Sequence, residues 1–417
     1  MPIGVVRPRR ITPIAPHRTV LHLDYMVHYS MLGCDPLPAE ARLLSFTPSP
    51  KLEKALKAVQ ATIHRLAADL AHLPDAEAAW LQRWALISTI GASTRIENAV
   101  LTDAEIDWVD TAISQDGHVT AFDASKAAIL DKLSKDRERS VEEVIGCREV
   151  LGIVYLQAAE LFPLTESAVR GLHHTLLSFY PAARFHAGGY KTSPNQVVSV
   201  NHDTGERRVV LDPTPPGPQT EAAMRDLIVW YNQAIRAHAW PLLVATEFVF
   251  RFLAIHPFQD GNGRLGRALF LLALMQGDDP DFSRVIRFIS IDRQIERHRP
   301  LYYAVLHQAS GGRFHADPRL YQLEGLAGFF LRMLDNALAD IAILRRRHAA
   351  LQRLSESAVT VLGCFRSTPE RRLKLADLMT ETGLVRRTVQ NALVSLTEAG
   401  LLQRLGAGPA TRYQLIF

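Results

Sequence analysis

From Pro50 onward the apolar residues recur at helical steps. Leu52, Leu56, Val59, Ile63 and Leu66 lie three or four apart, the spacing of one buried helix face. The same pattern predicts helices over 75–90, with Trp80, Trp84 and Ile87 on one face, and over 103–113, with Thr102 as N-cap. It continues over 141–161, 165–180 and 220–239. Glycines, prolines and β-branched runs interrupt it between 184 and 212. There Val197 to Val200, the turn residues Asp203-Thr204-Gly205 and Arg207 to Leu211 read as a small hairpin. Pro213 to Pro218 follow as a stiff connector, and the rest is helical to about Arg347. Residues 1–48 are proline-rich without a sustained period and read as an arm. The expected fold class is mainly α: a helical bundle with one small β-hairpin.

After Arg345-Arg346-Arg347 the pattern changes. A short helix is expected over 373–382, ended by Gly383. Val389, Ala392, Leu393 and Leu396 mark the apolar face of another, closed by Gly400. Strands over 401–405 and 411–417 flank a turn at Gly406 to Pro409. Helix, turn, helix and two-stranded wing is the order of a winged helix-turn-helix domain. Charge singles out the same segment. Residues 351–417 hold nine basic and five acidic side chains, so the chain's whole formal excess of +4 sits there. Arg386, Arg387, Gln390 and Asn391 start the recognition-like helix, off its apolar side, where they can reach phosphates and bases. Docking of protein is the competing use, and both readings stand.

Composition narrows the chemistry. Hydrophobic residues make up 47% and charged residues 22% of 417, ordinary for a globular chain of two or three domains. The longest apolar run, Ala268 to Met275, is far short of the roughly 20 residues that span a bilayer. No signal-peptide pattern can be drawn, so a cytoplasmic protein without a membrane partner is expected. Cys34, Cys147 and Cys364 form no CxxC pair, and the sixteen histidines no HExxH, which speaks against a zinc site or disulfide framework. His173, His174 and His238 are expected to be satisfied core residues.

One stretch carries more: His256-Pro257-Phe258-Gln259-Asp260-Gly261-Asn262-Gly263-Arg264-Leu265-Gly266-Arg267. Its Gly261-x-Gly263-x-x-Gly266 formally matches a dinucleotide fingerprint, but that motif needs a short strand before it. Leu242 to Ile255 is instead a 14-residue apolar segment with Pro241 suited to a first helical turn. Helix, loop over 256–263 and a second helix over 264–276 is the better reading. The free N–H groups that open the second helix attract anions, and Gly261 and Gly263 allow close approach of phosphate. Arg264 and Arg267, three apart, can clamp phosphate oxygens. Cations there oppose the helix dipole and so ask for an anionic ligand. Asp260 can hold Mg²⁺ between phosphates, and His256 can accept a proton near neutral pH. These parts suit phosphoryl or nucleotidyl transfer.

The string resembles the signature HPFx(D/N)GNGRxxR of the Fic (Fido) family at every specified position, and the resemblance extends over roughly residues 50–310. Pro215-Pro216, Leu227 to Asn232 and Tyr302-Tyr303 share in it. The resemblance implies a helical Fic bundle that transfers AMP from ATP, with Mg²⁺, to a hydroxyl side chain of a target protein or of the chain itself. It implies His256 as base, Asp260 as Mg²⁺ ligand and Gly261, Asn262 and Gly263 as anion hole. Arg264 would meet the β-phosphate, Arg267 the γ-phosphate, and Phe258 would anchor the loop. Leu265 and Gly266 fall within the implied nucleotide-binding run. Tyr303, with Tyr302, lines the adenine pocket or packs in the core. Gly189-Tyr190-Lys191 with Val197 and Val198 resembles the family's target-binding flap, a strand edge that can take an added strand, although the family often has Arg at the place of Lys191. Ser93-Thr94-Arg95-Ile96-Glu97-Asn98 resembles its inhibitory pattern (S/T)xxxE(G/N), in which Glu97 would pair with Arg267 and exclude the γ-phosphate.

The expected organisation is an arm over 1–48, a helical region with the inhibitory helix over 49–140, a Fic core over 141–347 and a winged helix over 351–417. The expected function is self-inhibited protein adenylyltransferase. The alternatives are a DNA-binding regulator with a nucleotide-sensing Fic domain, or a Fic enzyme that removes AMP or transfers another group. A homo-oligomer is compatible with either.

Overall fold

The structure, a computed structural model, describes residues 43–114, 138–200, 207–367 and 371–416. The proline-rich arm up to residue 42, the Asp203-Thr204-Gly205 turn and Phe417 lie outside the described residues.

Helix α1 (Pro50–Leu70) starts where Ser49 Oγ accepts from Leu52 N and proline occupies the first turn, a favoured N-terminus. It buries Leu52, Leu56, Val59, Ile63, Ala67 and Leu70. Helix α2 (Asp75–Ile96) continues a turn and a half beyond the expected end, because Ile87 to Thr94 are buried on every side and the helix runs on into the core. Helix α3 (Asp103–Ser114) has the expected cap: Thr102 Oγ1 accepts from Glu105 N while Thr102 N donates to Glu105 Oε2. Helices α4 (Glu138–Gln157), α5 (Glu166–Leu177) and α6 (Pro218–Ala237) follow. Between α5 and α6, strands β1 (Val197–Val200) and β2 (Arg207–Leu211) pair antiparallel with a bulge at Val197/Val198.

Two helices form the centre. In α7 (Pro241–Ile255) all but Arg251 are buried, and in α8 (Asn262–Gln276) all but Gly263, as expected of helices enclosed by others. Around them lie α9 (Pro280–Ile286), α10 (Ile291–Arg297), α11 (Arg299–Ser310) and the long α12 (Glu324–Leu351). The last runs unbroken through Arg345–Arg347, where the sequence pattern suggested a change.

Beyond α12 a second hydrophobic core, with Val361, Phe365, Leu378, Val389, Leu393 and Leu396 fully buried, stands apart from the first. Helix α13 (Glu356–Ser367) builds part of it and was not expected. Helices α14 (Leu375–Thr382) and α15 (Arg386–Glu398) and strands β3 (Leu402–Leu405) and β4 (Arg412–Leu415) follow as expected. The wing pairs antiparallel, and Leu373 bridges to Tyr413. The molecule is thus mainly helical, with two small hairpins. Among the described residues no helix is long and apolar enough to cross a membrane.

Candidate active site

Helix α7 ends at His256, which takes the left-handed conformation (φ 51°, ψ 58°) that non-glycine residues rarely adopt. The chain then turns back, and α8 opens at Asn262, so Asn262 and Gly263 belong to the first helical turn rather than to the loop. Gly261 caps that helix at φ 78°, ψ 0°. The loop is held from inside by Phe258, fully buried, and by Asn262. The Asn262 side chain accepts from Phe258 N at 3.0 Å and donates to Phe258 O at 2.7 Å.

His173 supports the same loop from α5. Its ring stacks on Phe258 at 3.7 Å. Gly188 N donates to Nδ1 at 2.9 Å, so Nε2 carries the proton and donates to Asp260 O at 2.9 Å. Burial pushes its imidazole down to about 4. His173 is therefore a satisfied core residue as expected, and one that fixes the backbone of Asp260. His174 is exposed and His238 half-buried, against the expectation that all three lie in the core.

His256 Nδ1 faces Leu253 O at 3.3 Å. A carbonyl can only accept, so Nδ1 carries the proton and Nε2 keeps its lone pair. Burial lowers the imidazole to about 4, with Lys191 acting in the same direction and the Leu253 bond, Glu97 and Asp260 against it. The ring is neutral at pH 7, in the form that can accept a proton.

The two arginines of α8 differ in their partners. Arg267, 3% exposed, donates from Nε to Ser93 Oγ at 2.9 Å and from Nη2 to Ser93 O at 2.7 Å. Its Nη2 also meets Glu97 Oε1 at 2.9 Å. Burial is the largest influence and opposes its charge, but Glu97 together with Tyr302, Asp292 and Tyr303 holds the guanidinium above its ordinary value. Beneath this pair lies buried Asp292, which burial raises to about 6 against the pull of Arg267. Arg264, 4% exposed, is less well served. Nη2 lies 3.4 Å from Asp260 Oδ1 and Nη1 3.8 Å from Glu143 Oε1. Its Nε and Nη1 have no hydrogen-bond partner among the described residues.

A cavity of about 310 Å³ opens over this turn. His256, Asp260, Gly261, Asn262, Gly263, Arg264, Arg267, Tyr303, Glu97, Val197 and Val198 line it, together with Tyr302. Leu211, Phe250, Leu253 and Leu306 add apolar lining. Five other expected residues are not brought into the lining. Leu265 is fully buried in the core, and Gly266 lets α8 pack on Leu253 and Val249; both point away because they follow the apolar face of the helix. Gly189 and Tyr190 lie outside the hairpin strands, and Tyr190 OH donates to Glu166 Oε2 at 2.8 Å. Ser93 touches the site only through Arg267.

The sequence reading missed Asn195 and Glu143. Asn195 Nδ2 donates to Phe258 O at 2.9 Å, and Glu143 faces Arg264 from α4. Neither belongs to a local motif, and no spacing signal points to them.

Residues 163–274 match the Fic/DOC family, and residues 356–406 match the IclR helix-turn-helix domain. The protein adenylyltransferase Fic of Nematostella vectensis is 27% identical over 248 residues, which cover 58% of this chain and 51% of that protein. The chain thus spans about half the length of this curated relative. The crystal structure of a Fic family protein from Desulfovibrio desulfuricans G20 is 21% identical, with a TM-score of 0.50 over 89% of this chain and 98% of that one. That likeness is one of fold. The chain carries a Fic/DOC domain and, C-terminal to it, an IclR-type helix-turn-helix domain.

Proposed function

We propose that the cavity binds ATP and that the chain transfers AMP to a protein hydroxyl, with its own resting state inhibited by Glu97. The observation that carries this reading is Arg264: a buried cation at the opening turn of α8, two of whose nitrogens find no hydrogen-bond acceptor among the described residues. Such a group calls for an anion that supplies the missing acceptors, and the free N–H groups of the turn call for the same. The apolar lining, which includes the rings of Tyr302 and Tyr303, suits a nucleobase.

In the proposed step, His256 Nε2 accepts the proton of the target hydroxyl as its oxygen bonds to the α-phosphorus. The α–β phosphoanhydride bond breaks, and pyrophosphate leaves against Arg264. Asp260 fits Mg²⁺ held by one protein carboxylate and substrate phosphates, the usual pattern for this ion: its side chain is 43% exposed and only Oδ1 is engaged, by Gly261 N and Arg264. The ion would neutralise phosphate charge there. The sole His/Asp cluster with metal-ligand spacing among the described residues, His64, Asp279 and Asp281, lies outside the cavity lining.

Inhibition is supported by Arg267. Its Nε and Nη2 are engaged by Ser93 and Glu97, and the Glu97 carboxylate lies against Gly263 at the helix opening. Incubation with labelled ATP, CTP, GTP and UTP in turn, read by mass spectrometry of modified proteins, tests the function. Absence of any nucleotidyl adduct from an uninhibited variant such as Glu97→Gly would sink it.

A second reading, DNA binding by the C-terminal module, is favoured by the exposed Arg386, Arg387, Gln390 and Asn391 on α15. We accordingly divide the chain into an arm over 1–48, a helical region over 49–140, a catalytic core over 141–347 and the module over 351–417. Helix α12 carries the chain across the last boundary.

A further inference from the structure

Lys191 lies between α5 and β1 and is 3% exposed. Its backbone N donates to Pro257 O at 2.8 Å, and its ammonium donates to Ile255 O at 3.1 Å and to Asn195 Oδ1 at 3.0 Å. One residue therefore grips the carbonyls immediately before and after His256, the residue held in left-handed backbone. Such a conformation persists when its surroundings over-determine it. The ammonium also meets the last carbonyl of α7, where a cation complements the helix dipole. Among the described residues Lys191 has no salt-bridge partner, and burial lowers its own ammonium to about 8.

We propose that Lys191 is a positioning residue for His256: it brackets the histidine through the carbonyls on either side and places a cation beside the imidazole. The inference rests on the transferase reading for its consequence but not for its geometry. A neighbouring cation disfavours the imidazolium, so the ring stays in the form that accepts a proton. Lys191 itself stays out of the cavity lining; the charged groups that share the cavity with His256 are Glu97 from α2, Arg139 and Glu143 from α4, Asp260 from the loop, and Arg264 and Arg267 from α8. Tyr302 and Tyr303 of α11 also face it, both pushed up by burial and hence neutral. Of the two groups with the most direct influence besides Lys191, Glu97 and Asp260 act in the opposite direction. Lys191 is the local counterweight to them.

The test compares Lys191→Gln, which keeps a donor but removes the charge, with Lys191→Arg, which keeps both. Both are made on Glu97→Gly so that turnover is measurable. Lys191→Gln should lower kcat by about tenfold, within the range that misplacement of a reacting group produces, with KM for ATP within about twofold. It should also move the acid limb of the kcat profile upward by about one pH unit. Lys191→Arg should restore both. A fall in kcat with the limb unmoved would reduce Lys191 to a structural cap and overturn the proposal, as would unchanged kcat.

A second readout needs no turnover. The His256 ring resonance, identified by its loss in His256→Ala, should keep its neutral position down to about pH 5 with Lys191 and begin to shift at higher pH in Lys191→Gln. Identical titrations would overturn the inference even in an inactive protein. Total inactivity of the Glu97→Gly parent would instead overturn the transferase reading.

Discussion

The two cores of this chain treat their charged side chains in opposite ways. In the first, Arg264 and Arg267 are 4% and 3% exposed. Arg267 is held by Ser93 and Glu97, while Arg264 faces Asp260 and Glu143 with two nitrogens lacking a hydrogen-bond acceptor among the described residues. In the second, Arg386, Arg387, Gln390 and Asn391 stand exposed on α15 while its apolar face is buried. Buried charges are set in advance and respond strongly to the loss of one partner. Exposed charges are graded, independent and screened by salt. Changes in the first core should therefore be large and specific, and changes in the module modest and dependent on ionic strength.

The largest expected effect is that of His256→Ala. Transfer should fall by about 10²–10⁴-fold, the usual contribution of a general base, while ATP binding stays within a few-fold, because the α8 turn and its arginines remain. Calorimetric ATP binding beside a labelling assay checks both halves; wild-type-like labelling would remove His256 from the mechanism.

Next comes Glu97→Gly, which should raise self-modification by on the order of 10²-fold if Glu97 misaligns the nucleotide in the resting state. Glu97→Asp should activate less. The pair Glu97→Gly with Arg267→Ala should lose the gain, since the liberated arginine is what would orient the phosphate. Self-labelling of Glu97→Gly at the parent level would leave residues 93–98 as an ordinary helix end.

A smaller effect tests how closed the first core is. The His173 imidazole sits at about 4 in the folded protein and near 6.5 unfolded, so the unfolded chain binds the extra proton between these values. Folding stability is then fully present above about pH 6.5 and is lost as pH falls toward 4, by on the order of 2 kcal/mol at pH 5. His256 should add to it. Urea titrations at pH 7 and pH 5 on the parent and on His173→Asn should show the loss partly removed by the substitution; an unchanged difference would mean that His173 is not sealed in the way described.

The smallest effect belongs to the module. Arg386→Ala with Arg387→Ala in the full chain should weaken DNA binding by about tenfold at low salt and by less at high salt, since phosphate contacts act through counterion release. No DNA binding by the parent even at low salt would move the module to protein docking and leave the contrast between the cores as one of packing alone.

Much of this architecture was legible because it is local. The helix–loop–helix over 241–276 follows from a continuous apolar segment, one proline and a dense motif. The wing follows from glycines and alternation. Helix α13 is hard to read although Ala358, Val361, Leu362 and Phe365 keep helical spacing, because its stripe is short and begins beside Ser355 and Ser357. The end of α2 was placed early because a helix buried all round loses the polar face that marks its period. The supports of the loop were not legible for another reason: His173 reaches Asp260 across 87 positions and Asn195 reaches Phe258 across 63. Such partners are chosen by the packing of α5 and its following turn against α7 and α8, and no spacing in one chain announces them. The bond from the Tyr190 hydroxyl to Glu166 is unannounced for a related reason, since the two residues are brought together by packing.

Gly263 adds a constraint of its own. A methyl group there would lie 2.2 Å from Glu97 Oε1 and 3.4 Å from Arg267 Nη1, so the space above this residue is reserved and, at rest, occupied by a carboxylate. If phosphate oxygens use the same space during turnover, protein and nucleotide are alternative tenants of one small volume, each adding negative charge beside Arg267 to that of Asp292. The resting chain is then never left with that cation uncompensated. Removal of Glu97 would transfer its share to the ligand, and folding would become linked to nucleotide concentration. A Glu97 variant should therefore gain more thermal stability from added ATP than the parent does, a dependence that would make a deregulated enzyme conspicuously fragile whenever ATP runs low.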